Sequence, residues 1–119
     1  MIQATETRIG NWIKYDQRYF KIHVISKELP SLDTDEFGIG VVSWNSIEPI
    51  LLTSDILKKC GFKVNELSKY AYIGNFEIHK ESEYYYYDAC NGADRYLKYL
   101  HQLQNLFFSM EGRELNFKP

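Results

Sequence analysis

Cysteine is scarce in this chain, and what there is carries no metal-site spacing. Its two cysteines, Cys60 and Cys90, lie far apart with no CxxC pattern. That excludes a zinc ribbon or a disulfide framework and makes both residues free thiols of a reducing compartment. An excess of positive charge is also missing. Fourteen Lys and Arg against 16 Asp and Glu give a formal net charge of -2, so no overall positive field gathers phosphate backbones. No apolar run approaches membrane-spanning length, and the opening "MIQATETRIG" lacks the charged start and apolar core of a secretory signal. A cytoplasmic protein with no membrane partner is expected. The catalytic signatures HExxH and GxSxG are absent, and "GIG" at 38–40 is followed by neither the helix nor the lysine of a phosphate loop.

What is present is an ordinary globular composition with one excess. The chain has 119 residues, 45% hydrophobic and 25% charged, a length that can bury roughly two-thirds of the unfolded surface in one compact domain, residues 1–119. Aromatics reach 16%, with ten tyrosines. Tyrosine suits half-buried strands, where the ring packs and the hydroxyl stays wet. Charge alternates in blocks: basic to residue 30 (Arg8, Lys14, Arg18, Lys21, Lys27), acidic over 31–52, then basic again at Lys58, Lys59, Lys63 and Lys69.

The patterning predicts an α+β fold. "RIGNWIKYD" and "RYFKIHVIS" alternate around Asp16 and Gln17, which reads as a hairpin. "FGIGVVSW" gives a third strand, with Gly38 and Gly40 marking a bulge or close approach, and "NSIEPI" a short edge strand ended by Pro49. These strands predict a small SH3-like barrel or half-barrel. Residues 52–62 carry helix punctuation: Thr53 as N-cap, Asp55 in the first turn, Lys58 and Lys59 near the end, and Gly61 to close it. "YAYIGNFEIH" and "EYYYYD" return to strand as a β-hairpin, with Tyr84 and Tyr86 on one face and Tyr85 and Tyr87 on the other. A long C-terminal helix packed on the sheet is expected from a cap at Asn91 or Asp94 to Gly112, about five turns. Its buried sector holds Tyr96, Tyr99, Leu100, Leu103, Leu106, Phe107 and Met110 at about 100° per residue. Gln104 and His101 fall on the flank, and Gln102 and Asn105 at the wet pole. "RIGNW" and "YIGNF" share an Ile-Gly-Asn-aromatic tetrapeptide, a faint internal echo.

At "RIGNW", "IEPILLTSDILKKCGF" and "KYLHQLQNLFFSMEGREL" the chain resembles a family of small uncharacterised proteins encoded in bacterial genomes and in phages or other mobile elements of gut-type bacteria. The resemblance runs from about Arg8 to Leu115, in the order RIGN, LTxxxLxxxGF, a tyrosine-rich stretch and HQLQNL-aromatic. Leu51 stands where the pattern commonly has Pro. It implies a phage or mobile-element context and carries over no catalytic or binding residue.

Weighed residue by residue, chemistry is thinly represented. His23, His79 and His101 lie on separate elements and do not converge as metal ligands. Cys60 sits on an apolar stripe, as a buried inert thiol does, and Glu81, Glu83 and Asp88 read as solvated strand-end carboxylates. No catalytic residue, metal or cofactor is assigned, and a small hydrolase ranks last. A protein-interaction module ranks first. Trp12, Tyr15, Tyr19 and Trp44 are the candidates for an aromatic groove, Tyr85 and Tyr87 for a sheet surface, and His101 and Gln104 for a helix-flank contact. Weak nucleic-acid binding through sheet aromatics is the alternative; it requires Arg8, Lys14, Arg18 and Lys21 to join exposed rings on one surface. Self-association through an edge strand or helix face is a third possibility. Gln104 is expected to be buried and to bond the backbone of a strand end or loop, with His101 at the edge of that contact.

Overall fold

A computed structural model describes residues 10–25, 30–34, 38–41, 47–81, 83–88 and 94–119. Among these the order is β1 (Trp12–Tyr15), β2 (Arg18–Ile25), β3 (Pro30–Thr34), β4 (Gly38–Val41), β5 (Ile47–Glu48), α1 (Ser54–Lys59), β6 (Lys63–Asn65), β7 (Tyr70–Ile73), β8 (Phe76–Glu81), β9 (Tyr84–Asp88), β10 (Asp94–Leu97) and α2 (Leu100–Glu111). The strands form two antiparallel five-stranded sheets, ordered β4-β3-β2-β1-β5 and β10-β9-β8-β7-β6. The α+β class therefore holds. Among the described residues both sheets are open, so of the barrel and half-barrel expected the closed barrel is not there: β4 and β5 end their sheet as separate edges instead of pairing.

The first hairpin turns at Asp16 and Gln17, with φ of 51° and 63°. Two successive left-handed residues match the right-handed twist of the strands they join, and a two-residue turn needs them. β1 begins with a bulge. The Gly10 amide donates to the Ile22 carbonyl at 2.9 Å and the Ile22 amide to the Asn11 carbonyl at 2.8 Å, so two residues oppose one. Gly10 takes φ 98°, which a side chain would resist. Of the bulge or close approach expected at Gly38 and Gly40, the bulge does not occur in their ladder: β3 and β4 pair in continuous register, and the shift lies between Ile22 and Val24.

Helix α1 forms as its punctuation dictates. Thr53 Oγ1 accepts from the Ile56 amide at 3.2 Å, Ile56 and Leu57 are buried, and Gly61 at φ 91° lets the Phe62 amide return to the Leu57 carbonyl. The long C-terminal helix is shorter than its periodicity implied. Residues 94–97 pair with β9, Tyr96 opposite Tyr86 and Leu97 opposite Tyr85, and α2 starts only at Leu100. A four-residue stretch such as "DRYL" fits either period, and the free edge of β9 decides it. The segment is then fastened by the Leu52 amide on the Lys98 carbonyl and the Leu100 amide on the Ile50 carbonyl.

After Gly112, in left-handed conformation, the chain runs back and buries Leu115 and Phe117. The main core joins Leu52, Leu57, Phe76, Ile78, Leu103 and Phe107 with these tail residues, while Ile13, Ile22 and Ile47 form a smaller cluster on the first sheet. The buried stripe of α2 is Leu100, His101, Leu103, Gln104 and Phe107. It is rotated from the expected sector, so that Met110 is exposed, while Gln104 is buried as its place on the flank predicts. Among the described residues no helix is long and apolar enough to cross a membrane.

Candidate functional site

Strand alternation divides the second sheet into unlike faces. Ala71, Ile78, Tyr85 and Leu97 point to the core. On the other side the register sets Tyr70 opposite His79, His79 opposite Tyr86, and Tyr86 opposite Tyr96, one row across four strands. The rings touch along much of that row: Tyr70 to His79 at 6.3 Å and His79 to Tyr86 at 5.4 Å, nearly parallel in the second pair. Tyr72 stacks on Tyr70 at 5.9 Å, and Tyr84 meets Tyr96 edge to face at 5.0 Å. Such cross-strand aromatic pairs stabilise a sheet and hold the rings rigid. All are at least partly open to solvent, Tyr96 at 59%.

The same face carries carboxylates. Glu77 is opposite Tyr72 and Glu81 opposite Tyr84, both exposed, with Lys63 at the far edge. Partial desolvation, then the charge of Glu81 and the neighbouring Tyr96, push the Tyr84 hydroxyl above its ordinary pKa. Glu81 thus sets a negative charge beside Tyr84.

Tyr85 and Tyr87 lie on the core side. Tyr85 is buried, and Tyr87 stacks on Phe76 at 4.9 Å. Trp12 and Tyr19 pack against Phe117 at 5.1 and 5.8 Å, while Tyr15 packs against Phe20 on the other side of the first sheet. These three rings therefore do not line one groove; adjacent pairing of Trp12 with Lys21 and Tyr15 with Arg18 puts them on opposite faces. Trp44, Arg8, Cys90, Asn91 and the side chain of His23 lie outside the described residues. The basic track needed for nucleic acid is split for the same reason. Lys14 and Lys21 share a face, Lys14 reaching Glu48 at 3.7 Å and Lys21 lying over Trp12, whereas Arg18 lies over Phe20 on the opposite one.

Gln104 and its neighbours form a latch. The Gln104 side chain is 1% exposed; its Oε1 accepts from the Trp12 amide at 2.8 Å and its Nε2 donates to the Gly10 carbonyl at 3.1 Å. Asn11, also buried, donates through Nδ2 to Asn105 Oδ1 at 2.9 Å. Asn105 is therefore not a wet-pole residue. Nor is Gln102, whose Oε1 accepts from the Lys98 and Tyr99 amides and caps the helix start. His101 is fully buried and stacks on Tyr99 at 5.9 Å. In "RIGNW" and "YIGNF" the asparagines part company: Asn11 is buried, Asn75 exposed.

Reading the tyrosines as a patch was within reach of the sequence, since 70, 72, 84 and 86 share a parity. Adding His79 and Tyr96 required the register and the tenth strand. Compared with known proteins, the chain matches no family profile, no curated protein and no solved structure.

Proposed function

We propose that the chain is a non-enzymatic protein-interaction module acting in the cytoplasm, in a phage or mobile-element context, and that the tyrosine face of the second sheet is its binding surface. The observation that carries this reading is the in-register row Tyr70, His79, Tyr86 and Tyr96. Tyrosine offers a large, rigid contact area with a hydrogen-bonding tip at low cost in conformational entropy. Glu77 and Glu81 beside the rings match a partner segment rich in arginine or lysine, whose cations lie on ring faces while their N–H groups meet the carboxylates. A nucleic-acid strand suits the rings and is repelled by the glutamates. The context rests on the resemblance at "RIGNW" and "HQLQNL".

Co-purification from natively expressing cells tests the reading, using the wild-type chain and a Tyr70→Ser/Tyr86→Ser variant. A basic protein recovered with the wild type and lost with the variant is the expected result. The same proteins recovered equally with both, or nucleic acid recovered in their place, would overturn it.

A further inference from the structure

On the core side of the second sheet, at its end, a cleft of about 420 Å³ opens between the start of α1 and strands β6 to β9. Volumes of this size hold small-molecule ligands. Register builds its wall. The Lys80 amide donates to the Lys69 carbonyl at 2.7 Å and Lys80 pairs with Tyr85, which sets Lys69, in the turn just before β7, beside Lys80 of β8 and Tyr85 of β9. All three line the cleft, with Ser54, Glu66 and Tyr70.

Two features of this row cost the free protein stability. The backbone bond between Lys69 and Lys80 brings two like charges to neighbouring positions, and Lys69 also holds φ 56°, a conformation that residues with long side chains rarely adopt. Tyr85 is 3% exposed, yet its hydroxyl meets no partner at hydrogen-bonding geometry. A buried unmade bond of this kind is uncommon and unfavourable. Burial pushes the hydroxyl pKa up, the approaching Ser54 side chain pulls it back, and the charge of Glu66 adds to the rise, so the phenol stays a protonated donor. Lys80 Nζ lies 5.8 Å from the centre of the Tyr85 ring.

We propose that this cleft binds a small organic anion, a carboxylate or a phosphate monoester, between the ammonium groups of Lys69 and Lys80, with the Tyr85 hydroxyl as donor and the Tyr70 ring as an apolar wall. An anion there relieves the lysine repulsion and supplies the missing acceptor at once. Glu66 opposes it and limits its affinity. Tyr70 is shared with the tyrosine face, whereas Lys69, Lys80 and Tyr85 are not, so substitutions at Lys80 and Tyr85 test the cleft apart from that face.

Amide chemical-shift titrations of the whole chain with phenyl phosphate, benzoate and neutral benzamide decide the matter. Saturable shifts at Glu66, Lys69 and Lys80 are expected with at least one anion; which of the two binds tells phosphate from carboxylate. Benzamide, and the anion against Lys80→Gln, should each bind about ten-fold more weakly. Glu66→Gln should tighten the anion. Tyr85→Phe serves as the second reading: it should weaken the anion while raising the melting temperature, because the hydroxyl it removes is unbonded in the fold. No saturable shift with either anion, equal binding of benzamide, or a Tyr85→Phe variant that melts lower and binds unchanged would overturn the proposal.

Discussion

The Gln104 carboxamide accepts the Trp12 amide proton at 2.8 Å across 92 positions of sequence, and with its other end it takes the Gly10 carbonyl. The bulge at Gly10 and Asn11 lets the end of β1 bond to a side chain, and Gln104 serves it as a peptide unit of a neighbouring strand would. The "RIGN" and "HQLQN" segments thus meet in space, and their polar residues are explained by each other.

Replacing Gln104 by Ala leaves the Trp12 N–H and the Gly10 carbonyl without partners, at a cost of about 1–3 kcal/mol. Urea denaturation should show a lower midpoint with an unchanged slope. An unaltered midpoint would deny the latch its structural role.

Asn11 and Asn105 should be coupled. In a double-mutant cycle with alanine the interaction energy is expected at about 0.5–1.5 kcal/mol, since each single change already removes the bond. Strict additivity would mean that the 2.9 Å contact contributes nothing.

Gln102→Ala should cost about 1 kcal/mol through loss of the cap on the Lys98 and Tyr99 amides. Periodicity alone placed Gln102 at the wet pole, where the same change would stay within about 0.5 kcal/mol. Thermal melts of the single variant distinguish the two.

Cys60 is 3% exposed and burial pushes its thiol up to about 12. In a Cys90→Ser background, labelling by a thiol reagent at pH 8 should be slow in the native protein and fast in denaturant. Because the folded-state value is raised, the thiol favours the fold below its ordinary pKa near 9.0, and that contribution is lost as pH rises toward about 12. Rapid native labelling would place the thiol at the surface.

Much of this was legible in the residues because local chemistry specified it. The Asp16–Gln17 turn, the Thr53 cap, Gly61, the edge strand at Ile47–Glu48 and the inward Gln104 all follow from short-range rules. The failures share a different cause. Whether "DRYL" is helix or strand depends on the free edge of β9, and the reach of Phe117 into the core depends on Trp12 and Tyr19 waiting there. Barrel closure depends on which edges meet, and nothing in strand alternation specifies that. The aromatic groove failed because Tyr15 and Trp12 have opposite parity once the hairpin register is set.

The central claim is that the latch holds the fold and the tyrosine row binds a partner, so one comparison tests it most directly. The Tyr86→Ser and Gln104→Ala variants are measured side by side for melting temperature and, by calorimetry, for affinity toward the co-purified partner. Tyr86→Ser should cost no more than about 1 kcal/mol in stability and weaken binding at least ten-fold, as loss of a central tyrosine in an interface does. Gln104→Ala should lower the melting temperature and, below its transition, bind like the wild type. A Tyr86→Ser protein that binds the partner with undiminished affinity would contradict the account.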